Sequence, residues 1–509
     1  MRSAHYWILF AIASLGWLAG TLLLPPSMSG NDTFIFRDAG WNLASSGTFE
    51  SAALIYMRDL TPRLYSHYTP IMPLLFAGYA SVFPRNAYAG TVFNLLLGLL
   101  AAAVALVCVL RRAPGRLRNL TALAVALLPV VFIIYDRPEP LGLVLSCAVL
   151  ATATRPQSHP VLIGLLIALV FLAHPFAAVV SGVWVSACLL IRNWKTDGRW
   201  TKTVAQIAVA GATAAVVLVP VALLYYSLDH GSLTRFAAHS LGVKTGLGRV
   251  IASSSQGGLL QLLRMGATGE GFLSLLAWSL SVSSSFLLAG WAIARRRNLT
   301  AHEWLPIAAA LICMVISVGL FPLQENYVVL LSFLVPLGML IGDGKGRTLV
   351  NPALALLLWA MMSNSAFVAC GFLQRIEQIS SYRAAAEQPR YLLSQLPSPD
   401  SIVVLQGHDY DFFKPEFHRL IRLADVEDVN HFASVAAVAN CYDGFAGPVS
   451  AMRPLPEQLK PTDFHLIQAD PQHMWITIFG HRVMRKQWGY GCDLYLRNQI
   501  NPGAAWTHN

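Results

Sequence analysis

Charge is scarce in this sequence. Of 509 residues only 12% are charged, 55% are hydrophobic, and the mean hydropathy is +0.53. A soluble domain carries about 25% charged residues, so this chain cannot clothe itself in a water-compatible surface. That excludes an ordinary soluble protein and leaves a polytopic α-helical membrane protein. Acidic residues are scarcer than basic ones, 26 against 36 Lys and Arg, which gives a net charge of +10. The basic residues fall in short clusters between apolar runs, without interleaved aromatics. That pattern fits loops facing anionic membrane lipid and argues against a nucleic-acid partner. Cysteine is sparse too, seven in all, with no CxxC or CxxxH spacing for a zinc site. No phosphate-binding loop, dinucleotide glycine pattern, internal repeat or low-complexity tract is present.

Long apolar runs are what the chain does have. The first, 6–24, follows Arg2 and holds no charge. It approaches the ~20 residues that a span requires, although the small residues Ser27, Ser29 and Gly30 also admit a cleaved signal peptide. Residues 69–83 are apolar but short and broken by proline, which predicts an amphipathic helix at the interface. Further spans are expected at 88–110, 120–135 and 141–152. The uncharged run 161–191 is too long for one crossing of ~30 Å of hydrocarbon, and His174-Pro175 divides it into two. Runs at 204–226, 272–294, 305–320, 327–341 and 349–368 complete about eleven spans. Every short loop assigned to the inner side carries Arg or Lys. The N-terminus is then cytoplasmic and everything after 370 extracytoplasmic.

Composition changes at about Gly371. Charges of both signs, turn residues and short β-rich runs at 401–407, 464–470 and 492–498 follow, with a helix expected at 432–440. The expectation is a transmembrane domain over 1–370, with a first outer loop 26–87, and a small α/β extracytoplasmic domain over 371–509. Cys108, Cys147, Cys188 and Cys313 lie in spans as small packing residues. Cys441 and Cys492 fall in the tail and are expected to form a disulfide.

Carboxylates concentrate on the outer side: Asp32, Asp38 and Asp59 after the first span, Asp136 and Glu139 after the third, Glu325 between the ninth and tenth. Carboxylates gathered at one membrane face suit proton abstraction from a substrate held in the lipid. Each also has a local explanation. Asn31 or Asp32 can cap a helix 33–45 that Gly47 ends. Arg37 and Asp38 can be a solvated pair on that helix, and Asp136 and Arg137 a second local pair. Glu139, between two prolines, can be first-turn charge complementing the helix dipole. His67 and His174 can be structural histidines.

The order of the pieces adds to this. D-x-F-x-x-x-x-A-x-x-N-L-A-x-x-G-x-F starts at Asp32, T-P-x-x-P-L-L at Thr69 and R-P-E-P-L-G at Arg137. His174-Pro175 and E-N-Y-V-V-L-L at Glu325 follow. Together they resemble the polytopic GT-C glycosyltransferases, among them bacterial relatives of the protein O-mannosyltransferases and the lipid A aminoarabinose transferases. The resemblance covers roughly residues 1–370. It implies an inverting transfer of a sugar, a hexose or pentose, from a polyprenyl-phosphate donor to a hydroxyl on a glycan, lipid or protein. The setting would be the outer face of a bacterial inner membrane. Asp32 would be the general base and Glu139 would orient donor or acceptor. Asp38, Arg37, Arg63, His67, His174, Lys244, Arg249, Glu325 and Tyr327 would bind substrate.

Cations for the lipid phosphate are supplied by Arg37, Arg58 and Arg63, and by Arg235, His239, Lys244, Arg249 and Arg264 in the loop 227–270. Asn326 stands where the family has Arg, so Arg249 or Lys244 would take over that contact. No cofactor is required; a divalent metal between Asp32 and Glu139 is conceivable, since other GT-C branches use one. Two alternatives stay open. A surface-polysaccharide polymerase or ligase would use the arginines of 227–270. A secondary transporter would want a repeat that the chain lacks.

Overall fold

A computed structural model describes residues 3–26, 31–51, 63–64, 69–112, 114–133, 137–197, 200–228, 283, 286–296, 299–320, 325–342, 348–377, 379–406, 410–421, 434–443, 463–469, 475–478, 481–485 and 488–498. The chain divides into two compact units. One holds Met1–Gly20, Asn94–Ser227 and Ala237–Cys370; the other holds Thr21–Phe93, Leu228–Phe236 and Gly371–Asn509.

The first unit is helical. Among the described residues four helices are long and apolar enough to cross a membrane: Ser3–Leu23 (α1), Ala89–Leu110 (α4), the apolar part of Pro175–Asp197 (α8) and that of Trp200–Leu228 (α9). Shorter apolar helices follow the remaining runs, including Glu139–Ala153 (α6), Pro160–Ala173 (α7), Phe286–Arg295 and part of Glu325–Gly342. Leu15, Val216 and Leu223 stand exposed on α1 and α9, as side chains facing hydrocarbon would.

The run 120–135 does not form one helix. Helix α5 (Arg116–Leu127) ends at Leu128, and a 3₁₀ turn takes Pro129–Phe132. Pro129 lacks the amide that an α-helix would use there, and it disfavours helical backbone in Leu128. The expected break at His174 is present. His174 ends α7 with extended backbone, and its Nδ1 accepts from the amide of Ala177 at 3.0 Å, capping the first turn of α8.

Helix α6 is central to this unit and packs on α7, α8 and the helix Glu325–Gly342. Ser181 donates to Ser146 at 2.8 Å across the buried α6–α8 seam. At the opposite end Arg192 gathers the chain. Its guanidinium donates to the carbonyls of Ala153 and Arg155, to Ser158 Oγ and to Gln206 Oε1. It thereby satisfies carbonyls that the end of α6 leaves open.

The second unit contains Asn31–Ser46 (α2), Ile71–Val82 (α3) and the tail. Gly47 ends α2 at φ 76, a left-handed position that glycine occupies at no steric cost. Helix α3 presses Phe76 against Trp41 of α2, with ring centroids 5.4 Å apart. Arg375 donates to the carbonyls of Thr21 and Pro25, and so closes the end of α1.

In the tail, β3 (Ile402–Gln406), β4 (Leu420–Ile421), β5 (Val435–Asp443), β6 (Phe464–Gln468) and β9 (Trp488–Arg497) form a five-stranded sheet in the order β4-β3-β5-β9-β6. The β4-β3-β5 pairs are parallel; β9 runs antiparallel to β5 and β6. The helix expected at 432–440 is therefore a strand over most of that span. Its alanines favour helix in isolation, but the segment lies between β3 and β9, and Val435 to Ala439 are all buried. Small side chains in a strand covered on both faces satisfy packing at the expense of propensity.

Cys441 and Cys492 sit opposite each other in β5 and β9 and are bonded. Closing a loop of separation 51 removes unfolded-state entropy, a contribution of about 4 kcal/mol. The side chain of Gln388 both donates to the carbonyl of Cys492 and accepts from its amide, fixing the helix Ile379–Ser394 to the sheet.

Candidate functional site

Polar groups buried among apolar helices mark where chemistry or assembly has overridden hydrophobic packing. Among the described residues, paired buried charges form two such clusters, one in each unit.

The first is at the start of α6. Glu139 is the first residue of the helix, follows Pro138 and is wholly buried. Its Oε1 lies 3.2 Å from Arg137 Nη1 and 3.5 Å from His174 Nε2. Because Nδ1 of His174 accepts from a backbone amide, the hydrogen of a neutral imidazole belongs on Nε2, the nitrogen nearer the carboxylate. Gly142, one turn on, lets the His174 backbone come close; a Cβ there would lie 3.0 Å from that of His174. The other carboxylate oxygen, Oε2, is buried and has no hydrogen-bond partner among the described residues. A buried carboxylate oxygen without a donor is costly. Arg137 therefore pairs with Glu139, while Asp136 lies outside the described residues.

The second cluster sits on α2. Arg37 and Asp38 are not a solvated pair. Both are wholly buried, and each takes its counter-ion from the tail. Arg37 Nη2 meets Asp411 Oδ2 at 2.9 Å, and Lys414 Nζ meets Asp38 Oδ1 at 2.9 Å. Tyr410 donates to Asp38 Oδ1 at 2.5 Å and Ser51 to Oδ2 at 2.9 Å. Asn42 donates to the carbonyl of Glu50 at 2.7 Å, turning the chain back against α2. The Arg37 guanidinium lies over the Phe76 ring at 5.6 Å and fills the space beside Gly90, where any Cβ would overlap it. Two adjacent residues of opposite sign thus engage two tail residues of opposite sign. The cluster is neutral as a whole, as burial demands.

The Tyr410 phenol is pushed well above its ordinary value of 10.0, first by burial and then by the negative charge of Asp38. The folded state then holds this proton more tightly than the unfolded state does. Its contribution is intact below pH 10 and is lost as pH climbs from there through the raised value. Tyr410→Phe is expected to flatten the alkaline fall in unfolding midpoint of the detergent-solubilised protein between about pH 9.5 and 11. An unaltered alkaline slope would refute this.

Asp32 occupies the first turn of α2, which begins at Asn31, two residues before the expected start. Glu325 and Tyr327 occupy the first turn of the helix Glu325–Gly342, and Arg63 pairs with Ser51 in the short ladder of β1 (Glu50–Ser51) and β2 (Arg63–Leu64). His67, Lys244 and Arg249 lie outside the described residues, as do Arg58, Asp59, Arg235, His239 and Arg264. No group of three metal-binding side chains occurs among the described residues. The segment Tyr410–Lys414 was not anticipated. Its only sequence signal is an Asp and a Lys three apart among aromatics in an otherwise ordinary tail.

No protein-family model matches the chain, and neither does any curated sequence. Solved structures do align with it. One is ArnT from Cupriavidus metallidurans bound to undecaprenyl phosphate, at 11% identity and TM-score 0.48, over 97% of this chain and 98% of that one. The apo state of the same ArnT gives 14% and 0.44, over 87% and 94%. The apo oligosaccharyltransferase of Archaeoglobus fulgidus gives 13% and 0.45, over 86% and 69%.

Proposed function

We propose that this multi-pass membrane protein is a GT-C-type glycosyltransferase. It would move a sugar from a polyprenyl-phosphate donor to an acceptor hydroxyl at the outer face of a bacterial inner membrane. Glu139 is the single observation that carries this reading. Its carboxylate is fully buried, held on one oxygen by Arg137 and His174, and open on the other. It falls in R-P-E-P-L-G, within the ordered motif set that resembles the family. An oxygen so placed is suited to hold a sugar hydroxyl still.

In this reading Asp32 is the general base. It takes the proton of the acceptor hydroxyl as that oxygen attacks the anomeric carbon, while the C–O bond to the lipid phosphate breaks and the configuration inverts. The phosphate departs with its electron pair, so one base and an electrostatic clamp suffice. Arg63, Lys244, Arg249 and the first turn at Glu325 and Tyr327 would hold the donor. No metal or cofactor is required. The first outer loop 26–87 carries the base, and the tail 371–509 lies on the same outer side and braces α2 through the Arg37–Asp38 cluster.

The experiment is transfer from a radiolabelled polyprenyl-phosphate sugar by membranes carrying Asp32→Asn. Unchanged transfer would sink the assignment of the base. No transfer by wild-type membranes from any such donor would sink the function.

A further inference from the structure

The second unit holds a cavity that none of the residues discussed so far explains. It measures about 500 Å³ and is lined by Arg85, Asn86, Tyr382, Arg383, Glu387 and Phe412, with the Arg390–Glu416 pair at its edge. That volume lies within the ~300–1,000 Å³ typical of small-molecule sites. Its walls follow from how the helix Ile379–Ser394 is held. Ala385, Gln388 and Leu392 are buried, and Gln388 bonds to Cys492 in the sheet. Residues 382, 383, 386, 387 and 390 then share the remaining faces, being three to four apart along the helix.

The lining has three chemical parts. Cations come from Arg383 and Arg85. Arg383 is exposed and has no ion partner among the described residues. Arg85 donates to the carbonyls of Ala80 and Ala44, near the ends of α3 and α2, so it is held in place where it borders the cavity. Hydrogen-bonding groups of both kinds come from Asn86 and Glu387. An aromatic surface comes from Tyr382 and Phe412, with ring centroids 5.7 Å apart. A purely anionic ligand would not want Glu387, and an apolar one would want neither charge. A polyhydroxy ring with one negative group uses all three. Its C–H face lies on the aromatics, its hydroxyls bond to the carboxylate and amide, and its anion meets Arg383.

We propose that this cavity binds a sugar carrying a phosphate or carboxylate. The anion could belong to a soluble glycan or to a glycolipid headgroup; the shared chemistry is the anionic sugar. Arg85 ties the cavity to the C-terminal end of α2, about 18 Å along the helix axis from the first turn that holds Asp32.

Binding is measured on the full-length protein in detergent by saturation-transfer NMR, with glucose 6-phosphate and neutral glucose as matched probes. The expected result is saturation of glucose 6-phosphate and not of glucose. Arg383→Glu should weaken it roughly tenfold, as loss of a charged hydrogen bond does, and Glu387→Ala should weaken it too by removing the acceptor for the hydroxyls. Both side chains are exposed, and an unchanged unfolding midpoint establishes that the variants fold. Equal saturation of glucose, or binding indifferent to Arg383→Glu, would overturn the proposal. Phosphatidylglycerol vesicles form a third arm; Arg383-dependent vesicle binding without sugar-phosphate binding would mark a lipid contact and overturn it equally. None of these readouts needs turnover, so the cavity and the transferase reading can fail separately.

Discussion

Membranes carrying Asp32→Asn are expected to transfer sugar roughly 10²–10⁴-fold more slowly than wild type while keeping donor affinity, the range that a positioned general base contributes. The substitution keeps size and hydrogen-bonding shape and removes only the proton acceptor. In the proposed transfer phosphate is a good leaving group unaided, so the acceptor hydroxyl would be the group that most needs help, and losing its base should appear in kcat. Glu139→Gln should behave differently. Oε1 meets Arg137 and His174, and Oε2 stays open. An amide can reproduce one acceptor at a time, so the acceptor or donor KM should rise more than kcat falls. Identical effects of the two variants on kcat and KM would contradict this division of labour.

Asp38→Ala is expected to destabilise the protein by about 3–5 kcal/mol, the cost of breaking a buried ion pair by removing one partner. Asp38 accepts from Tyr410, Lys414 and Ser51, and without it the buried Lys414 ammonium faces Tyr410 with no counter-charge. Lys414→Met alone leaves the Asp38 carboxylate with its two hydroxyl donors and should cost less. The double variant should recover part of the Asp38→Ala loss, since the stranded cation is gone. Denaturant titration in micelles reads all three. A loss under about 1 kcal/mol for Asp38→Ala would mean that water reaches the cluster and screens it.

The pair Arg37-Asp38 shows what sequence patterning could not supply. Side by side on a predicted helix near the first apolar run, the two residues have every local reason to be a solvated pair. What overrides that is a pair of opposite charges more than 370 residues away in the chain. Nothing in the spacing of Asp411 and Lys414 announces their destination. Strand β5 makes the same point about propensity, because its alanines look helical until a sheet covers both of their faces. Pro129 did carry the signal for the break after α5, and hydropathy alone overrode it.

Several things were settled by the sequence itself. Low charge with long apolar runs dictates apolar helices and a membrane. His174-Pro175 divides 161–191 because proline cannot continue the preceding helix. Gly47 ends α2 because glycine tolerates positive φ. The sequence also offers Asp32 and Glu139 as candidates, because acids are few and these two adjoin apolar segments. Tertiary structure alone decided which charges meet: Glu139 with Arg137 and His174, Arg37 with Asp411, Asp38 with Lys414 and Tyr410. It also decided that the tail and the residues after α3 line a cavity with cationic, aromatic and hydrogen-bonding walls. The physical reason is range. Propensity and hydropathy act over a few residues and show in local patterns, whereas charge pairing under burial depends on which distant segments folding brings within about 4 Å.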